Sequence, residues 1–382
     1  MKDRIYLDFA ATTPVSPEVA EAMAPYFQDC FGNPSSIHGT GREAHKALDL
    51  ARQRTAEAIG AKPREIYFTS GGSESDSWAL IGTAFALKDQ GRHIITSAIE
   101  HHAVLRTCQW LEKQGFEVTY LPVDSNGLVS AEEAEGAMRE DTILISVMTA
   151  NNEIGTLEPV REIGEAARKH GIRFHTDAVQ AIGAVPVRAD VCHADLISIS
   201  AHKFHGPKGT GCLYIREGTR MDALIHGGEQ ERRMRAGTEN LAGIAGMGKA
   251  IELAVRNMEK KNARITALRD RLIRGIRERT DGAELNGHPS LRLPNNCSMR
   301  FKGVEGEALL LRLDLAGIAA SGGSACASGS LEPSHVLKAI GQSDEEAGGS
   351  IRLTLGDTTT EEEIEEVIRV LPEIVADLRR MR

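Results

Sequence analysis

The feature that most constrains the fold is a regular alternation of short apolar segments with helical segments between residues 66 and 215. Strand–helix alternation of this kind gives parallel strands joined by helices that cover the sheet, so it predicts an α/β domain with a mostly parallel sheet. The predicted strands lie at residues 66–69, 94–96, 118–121, 143–148, 173–175, 196–200 and 211–215.

Helical periodicity marks the covering elements. Apolar positions recur at helical spacing over residues 43–59 and stop at Gly60, a helix begins near Glu74, and another over residues 160–170 ends before Gly171. These stops are typical of helix C-termini, where glycine adopts the left-handed conformation without a steric penalty.

The pattern changes after Thr238. Residues 242–279 form one long, highly charged helical pattern, and beyond it shorter helices and strands alternate again. The predicted elements there are helices at 305–314 and 360–378 and strands at 295–301, 318–320 and 351–355. We predict a large domain at residues 15–255 and a smaller α/β domain made of residues 1–14 and 256–382. The cleft between them is where a ligand would bind.

Composition narrows the class of protein. The chain has 382 residues, which suggests about two domains, and its formal net charge of −9 argues against direct binding to nucleic acid. No apolar run reaches membrane-spanning length, and the N-terminus lacks the apolar core of a signal peptide. Six scattered cysteines without a CxxC pair favour free thiols in a reducing compartment, so we expect a cytoplasmic protein without a membrane contact.

Two segments could bind parts of one charged ligand. In residues 68–76 (FTSGGSESD) a strand enters a glycine turn and a helix leaves it, so a phosphate could bind the amides of Gly72 and Ser73 and the Ser73 hydroxyl. A plain tight turn explains the same pattern.

Asp177 ends a later strand, where it could pair with a protonated ring nitrogen while Gln180 reaches a neighbouring oxygen. Alternatively, Asp177 could simply cap a helix.

A lysine follows the next strand. Lys203 precedes a glycine-rich turn at the edge of the predicted cleft, where a partly deprotonated amine could form a Schiff base, and Lys208 is a second candidate nearby. Most lysines lie on the surface, which is the plain alternative. The order of phosphate turn, aspartate and lysine nevertheless matches the three needs of pyridoxal 5′-phosphate (PLP), namely phosphate, pyridine nitrogen and aldehyde.

At this point the chain resembles a fold-type I PLP-dependent transferase, and more narrowly a cysteine desulfurase of the NifS/IscS type. The resemblance extends over nearly the whole chain and implies a seven-stranded, mostly parallel sheet in the large domain. The segments that carry it are residues 6–14 (YLDFAATTP), 31–38 (FGNPSSIH), 100–104 (EHHAV), 150–155 (ANNEIG), 175–180 (HTDAVQ), 198–209 (SISAHKFHGPKG), 235–240 (RAGTEN) and 324–335 (SACASGSLEPSH).

The resemblance implies a role for each matching residue. Lys203 would carry PLP as a Schiff base and move the substrate α-proton, and His101 would stack on the ring and act in acid–base steps. The remaining expected cofactor contacts are Gly72, Ser73, Ser200 and His202 at the phosphate, Asp177 at the ring nitrogen, Gln180 at the phenolic oxygen, and Asn152 and Thr238. Thr238 matches a position that reaches the phosphate of a neighbouring subunit, so a homodimer is implied. Asn152 and Arg352 match positions that hold the substrate carboxylate, and the arginine fork suits that task.

Cys326 narrows the expected reaction to sulfur transfer. It lies in residues 320–330 (ASGGSACASGS), where small residues offer little to bury, so we expect a loop, an unusual place for a cysteine. The resemblance implies that the Cys326 thiolate takes sulfur from L-cysteine as a persulfide, leaving L-alanine. The sulfur would pass to an acceptor protein, an iron–sulfur scaffold first and a tRNA-thiolation protein second. No metal site is expected, although a transient role of Cys326 as an iron–sulfur ligand stays open.

Two departures from the family pattern and two alternatives accompany this interpretation. Phe9 stands where many relatives have asparagine and could reshape the substrate side, and Ser73 stands where many have threonine. Another fold-type I PLP enzyme, such as an aminotransferase or selenocysteine lyase, would keep Lys203 and Asp177 but need not have Cys326. A non-catalytic sulfur-relay scaffold would be expected to lose the lysine or the phosphate turn, and both are present.

Overall fold

The computed structural model describes residues 4–322 and 333–381. Its strands are β1 (Ile5–Tyr6), β2 (Ile66–Thr69), β3 (His93–Ser97), β4 (Glu117–Leu121), β5 (Thr142–Ser146), β6 (Arg173–Asp177), β7 (Leu196–Ser200), β8 (Gly211–Ile215), β9 (Ala283–Leu285), β10 (Asn296–Phe301), β11 (Ile318–Ala319), β12 (Ser321–Gly322) and β13 (Ser350–Thr354). Its α-helices are α1 (Pro17–Met23), α2 (Pro25–Gln28), α3 (Gly39–Ile59), α4 (Gly72–Leu87), α5 (His102–Lys113), α6 (Ala131–Gly136), α7 (Val160–Lys169), α8 (Leu241–Arg256), α9 (Met258–Arg279), α10 (Gly306–Leu315), α11 (His335–Ala339), α12 (Asp344–Gly348) and α13 (Glu361–Arg380).

The large sheet has seven strands in the order β2-β8-β7-β6-β5-β3-β4. Its pairs are parallel except those on either side of β8, which runs antiparallel to both β2 and β7. Every residue of β3, β5, β7 and β8 is buried, as expected when helices cover both faces of a sheet. The predicted mostly parallel seven-stranded sheet is thus confirmed.

The strand directions place several predicted ligand-binding residues at one edge of the large sheet. Because β8 is antiparallel to both of its neighbours, β2 runs in the same direction as β7, and their carboxyl ends meet at the same edge as those of β3, β5 and β6. The segments that carry Gly72, His101, Asn152, Asp177 and Lys203 follow the carboxyl ends of β2, β3, β5, β6 and β7. This edge is where open α/β sheets bind ligands.

A second apolar cluster lies around the sheet β12-β13-β10-β9, under α9, α10 and α13. The N-terminal strand β1 runs parallel to β11, with Ile5 opposite Ile318, and the N–H of Thr354 donates to the carbonyl of Leu7 at 2.7 Å. The N-terminal segment therefore packs on this cluster. The domain boundaries at 14/15 and 255/256 stay a prediction.

The helix expected over residues 242–279 is two helices. Asn257 separates α8 from α9 with φ −125° and ψ 26°, outside the helical region, so the single long pattern was wrong at this residue. Charged residues recur at helical spacing both before and after Asn257. Sequence periodicity alone therefore does not reveal the break between the two helices. Among residues 4–322 and 333–381, no helix combines the length and apolar character of a membrane span.

Candidate active site

A cavity of about 330 Å³ lies at the carboxyl edge of the large sheet, facing the second cluster. It brings together most of the predicted site residues, from six separate stretches of the chain. Those that line it are Gly72, Ser73, His101, Asn152, Asp177, Gln180, Ser200, His202, Lys203 and Arg352.

Two predicted residues are not in this set. Thr238 lies in a separate groove beside Arg235 and Gly237, and not on the cavity of its own chain. Cys326 lies outside the described residues. The predicted roles of both residues stay predictions.

One end of the cavity suits an anion. Helix α4 begins there with no side chain capping its N-terminus, and the first N–H groups of a helix have no acceptor within it. A Cβ on Gly72 would lie 2.9 Å from a Val179 methyl carbon, so a larger residue would crowd this turn. Ser200 and His202 line the same end, and burial with the nearby Lys203 lowers the pKa of His202 to about 4, so its ring is neutral.

The structure separates the two candidate lysines. Lys203 lies in the cavity, where its Nζ donates to the carbonyls of Ala10 at 2.6 Å and Ala11 at 2.9 Å. Lys208 lines a more open groove beside the α4 N-terminus instead. The two carbonyls come from the segment after β1, so the amine also joins the N-terminal segment to the large sheet.

Asp177 is the buried carboxylate of the site. Its Oδ1 accepts from the backbone N–H of Val179 at 2.8 Å. Burial raises its pKa to about 6, against the opposing effects of that hydrogen bond and of Lys203, so the group is an anion at neutral pH. Gln180, three residues later, donates through Nε2 to the carbonyl of Ala10 at 2.9 Å.

His101 caps helix α5. Its Nδ1 accepts from the backbone N–H of Ala103 at 3.1 Å, which assigns the proton of the neutral ring to Nε2. Burial, reinforced by the charge of Lys203, lowers the pKa of His101 to about 4. The ring is therefore neutral at physiological pH.

Arg352 forms the opposite end of the cavity. Its side chain is buried, and its two terminal nitrogens donate to the Asn152 carbonyl at 2.8 Å and to Asp8 Oδ1 at 3.0 Å. Among the described residues its buried Nε has no hydrogen-bond partner. A buried N–H donor without an acceptor is energetically unfavourable. A bound carboxylate could supply the acceptor that the Arg352 Nε lacks.

Comparison with known proteins identifies the family. A model of the aminotransferase class-V family matches residues 5–367. A relative from Methanosarcina thermophila, named cysteine desulfurase IscS, is 58% identical over 377 residues, which is 99% of this chain and 93% of the relative. The chain belongs to the cysteine desulfurases of the class-V aminotransferase family. This confirms the resemblance that the motifs indicated, and membership implies a PLP-dependent enzyme.

Two solved structures have the same fold as this class-V desulfurase. A NifS-like protein matches with a TM-score of 0.93 and 40% identity, covering 98% of this chain and 100% of its own. A structure titled "SspA in complex with cysteine" matches with a TM-score of 0.82 and 38% identity, covering 93% and 100%. The predicted fold class is therefore confirmed.

Sequence reasoning missed several polar residues of the desulfurase cavity. Glu153 is buried and accepts a hydrogen bond from the Ser334 hydroxyl, and burial raises the pKa of Glu153 to about 7. His335 Nε2 lies 2.9 Å from the Glu100 carbonyl, and its ring centroid is 4.7 Å from that of His102. These five residues all lie inside the segments that match the family, namely Glu100, His102, Glu153, Ser334 and His335. Only the fold shows that segments so far apart in sequence meet.

The sequence left the effect of Phe9 on the substrate side open. Phe9 does not line the 330 Å³ cavity but packs against Tyr6, with ring centroids 4.9 Å apart. A Cβ on Gly356 would lie 2.2 Å from the Phe9 ring, so the two segments are in close contact. Phe9 therefore contributes to packing beside the cavity and does not face a substrate there.

Proposed function

We propose that this cavity binds PLP and converts L-cysteine to L-alanine, with the sulfur leaving as a persulfide on Cys326. One observation carries the proposal: the Lys203 amine, the Asp177 carboxylate and the uncapped α4 N-terminus lie in one cavity. These are the three complements of an aldehyde, a protonated pyridine nitrogen and a phosphate.

The residues present fit the cofactor. When bound, PLP supplies an electron-accepting ring conjugated to the substrate amine. The residues that would hold it are Gly72, Ser73, Ser200 and His202 at the phosphate, Asp177 at the ring nitrogen, Gln180 at the phenolic oxygen, His101 at the ring and Lys203 as the covalent attachment. Asp177 is an anion at neutral pH and its burial strengthens its pairing with a cation, so it favours a protonated ring nitrogen.

The chain's own groups would then position the substrate and move protons. Arg352 and Asn152 would hold the cysteine carboxylate, and the Arg352 Nε would gain the acceptor it lacks. Lys203 would accept the α-proton. His101 lines the cavity, and with its proton on Nε2 its imidazole would act as a hydrogen-bond donor that assists proton transfer.

Sulfur transfer balances without an added oxidant. The carbon–sulfur bond of L-cysteine breaks and its electron pair stays with the carbon fragment, which takes up a proton and becomes L-alanine. The sulfur forms a bond to the Cys326 sulfur, giving a persulfide. The attacking species must be the thiolate, because a thiol is a weak nucleophile.

The placement of Thr238 supports a homodimer. It is exposed in a groove separate from the cavity of its own chain. We propose that it donates to the phosphate held by a second copy of the chain, which the Thr238→Ala variant would test as a loss of PLP affinity. Light scattering should give the mass of a dimer, and a monomer that retains full PLP affinity would contradict this arrangement.

The decisive experiment for the reaction is the Cys326→Ala variant. With PLP bound and a reductant present, sulfide release from L-cysteine should collapse, because no thiolate remains to take the sulfur. Wild-type enzyme treated in parallel is the control. Undiminished sulfide release would contradict the proposed mechanism and favour a lyase that needs no nucleophile, such as one that acts on selenocysteine.

We further propose that the persulfide is delivered in the cytoplasm to an acceptor protein, an iron–sulfur scaffold first and a tRNA-thiolation protein second. Trapping a disulfide between Cys326 and its acceptor, followed by mass spectrometry, would identify the acceptor. Trapped species that contain only metabolite thiols would contradict protein delivery.

A further inference from the structure

Asp76 is a buried carboxyl group that the proposed reaction leaves without a role. It lies one helical turn after Gly72 on α4, so the helix presents both residues on the same face, towards the cavity. The Asp76 side chain is 1% exposed. Its Oδ1 has no hydrogen-bond partner among the described residues.

Within the described part of the chain, the basic group that comes within 4 Å of the Asp76 carboxyl is His175 on β6. Its Nε2 lies 3.7 Å from Asp76 Oδ1, too far for a hydrogen bond. The two His175 nitrogens are already engaged by hydroxyls, Nδ1 by Ser146 at 2.8 Å and Nε2 by Ser198 at 2.9 Å. Burial lowers the pKa of His175 to about 3, so the ring is neutral and cannot pair with a carboxylate.

The remaining neighbours of Asp76 disfavour a second anion. Burial raises the pKa of Asp76, and the nearby carboxyls Asp177 on β6 and Glu100 raise it further. The Ser198 hydroxyl of β7, which also contacts His175 Nε2, acts in the opposite direction but is outweighed. An ionised carboxylate with an unpartnered buried oxygen is costly, and two neighbouring carboxyls seldom ionise together. Asp177 is closer to a compensating charge, because Lys203 lowers the pKa of Asp177.

We propose that Asp76 is a positioning residue that stays protonated, so that the single negative charge of the Asp76–Asp177 pair resides on Asp177. The inference deepens the proposed function, because Asp177 is the group assigned to the ring nitrogen of PLP. A neutral Asp76 adds no charge near that nitrogen and leaves Asp177 as its anionic partner. The first residues of α4, whose N–H groups would hold the phosphate, would thus belong to the same helix as the residue that keeps the negative charge on Asp177.

Infrared spectroscopy reads the protonation state of Asp76 directly, with or without cofactor. Burial raises the pKa of Glu100 to about 8 and that of Glu158 well above its usual value, so these carboxyls also contribute acid C=O bands. At neutral pH the difference spectrum between the full-length wild-type chain and Asp76→Asn should therefore contain one lost carboxylic-acid C=O band. The matched control Asp89→Asn removes an exposed carboxylate just after the same helix and should leave the band unchanged. A difference spectrum without a lost carboxylic-acid band would overturn the proposal, because Asp76 would then be ionised.

If Asp76→Asn does not fold, Ser198→Ala provides the second test. Removing the hydroxyl that bonds the Asp76 carboxyl should shift the frequency of the same C=O band. An unchanged spectrum would show that the band does not come from Asp76 and would overturn the proposal.

The ring nitrogen supplies an independent readout in the holoenzyme. With PLP labelled with ¹⁵N in its ring, wild type and Asp76→Asn should both give the ¹⁵N NMR shift of a protonated nitrogen, and Asp177→Asn should lose it. A nitrogen that loses its proton in Asp76→Asn would overturn the proposal, since Asp76 would then carry charge. Failure of the wild-type chain to bind PLP would instead contradict the proposed function and leave the infrared result to decide on Asp76.

Discussion

The two ends of the cavity are built differently. At the cofactor end, the polar groups come from turns that directly follow strands of one sheet, such as Gly72 after β2 and Asp177 at the end of β6. At the substrate end, Arg352 of β13 meets the Asn152 carbonyl and Asp8, which lie 200 and 344 residues away in sequence. The geometry of the cofactor end is set mainly by turns along one edge of the large sheet. The geometry of the substrate end is set by the packing of segments that are distant in sequence.

This difference separates cofactor binding from substrate binding. Changes at the phosphate turn, such as those at Ser73, should alter PLP binding without disturbing the packing of distant segments. Changes at Lys203 should in addition remove its hydrogen bonds to the carbonyls of Ala10 and Ala11. Changes at the substrate end should alter cysteine affinity or chain stability, because its polar groups also join those segments. Four variants test whether cofactor binding and substrate binding can be changed separately.

Lys203→Ala should have the largest effect. It removes the amine that would attach PLP and move the α-proton, so the visible absorption of the holoenzyme should disappear and turnover should fall by at least about a thousandfold. Lys208→Ala is the matched control, since that lysine lies in the neighbouring groove. Equal losses in the two variants, measured by absorption and alanine formation, would contradict the assignment.

Glu153→Gln should change how stability depends on pH. Burial raises the pKa of Glu153 from 4.5 to about 7, so its proton is held more tightly in the folded chain than in the unfolded chain. Its contribution is complete below about pH 4.5 and is lost as the pH rises through about 7. The wild type should therefore lose up to about 3 kcal/mol of unfolding free energy relative to Glu153→Gln over this range.

Urea unfolding at acidic and mildly alkaline pH measures this difference. Glu140→Gln, which removes an exposed carboxylate, should follow the wild-type curve. Parallel curves for wild type and Glu153→Gln would show that the Glu153 carboxyl is not buried with a raised pKa.

Arg352→Lys should weaken substrate binding. Lysine keeps the charge but loses the fork and the Nε donor, so KM for L-cysteine should rise by about tenfold to a hundredfold with PLP affinity unchanged. Asp8→Asn keeps an acceptor for Arg352 and should change KM less. Steady-state kinetics that show a lower kcat at constant KM would place Arg352 outside carboxylate binding.

Ser73 should give the smallest effect. Ser73→Ala removes a hydroxyl at the phosphate end, so the dissociation constant of PLP should rise by roughly tenfold, equivalent to about 1.4 kcal/mol. Ser73→Thr retains the hydroxyl and should stay close to wild type in a PLP titration. A loss of the same size in both variants would contradict a role of the hydroxyl, and a loss in Ser73→Thr alone would point to crowding at the turn.

The same comparison explains what could be predicted from the sequence. The residues of the cofactor end lie in contiguous motifs, so their order along the chain was enough to identify Lys203 and Asp177. Asp76 lies in one of these motifs too, but its buried position beside His175 depends on helix–sheet packing that spacing does not show.

Sequence reasoning was weaker for the substrate end. The hydrogen bond from Ser334 to Glu153 joins residues 181 positions apart, and neither residue alone signals the contact. The effect of Phe9 on the substrate side was left open, because its packing on Gly356 beside the cavity is not visible in the sequence. Helical periodicity continued across Asn257, so a local break in backbone conformation went unseen.

The most direct test of the account is the mass of the chain after a single turnover. PLP-loaded enzyme is mixed with one equivalent of L-cysteine, quenched under conditions that preserve persulfides, and mapped by peptide mass spectrometry while alanine is quantified. The account predicts one added sulfur on the peptide that contains Cys326 and one alanine formed for each sulfur bound. Alanine formed without sulfur on Cys326, or sulfur carried on another cysteine instead, would contradict it.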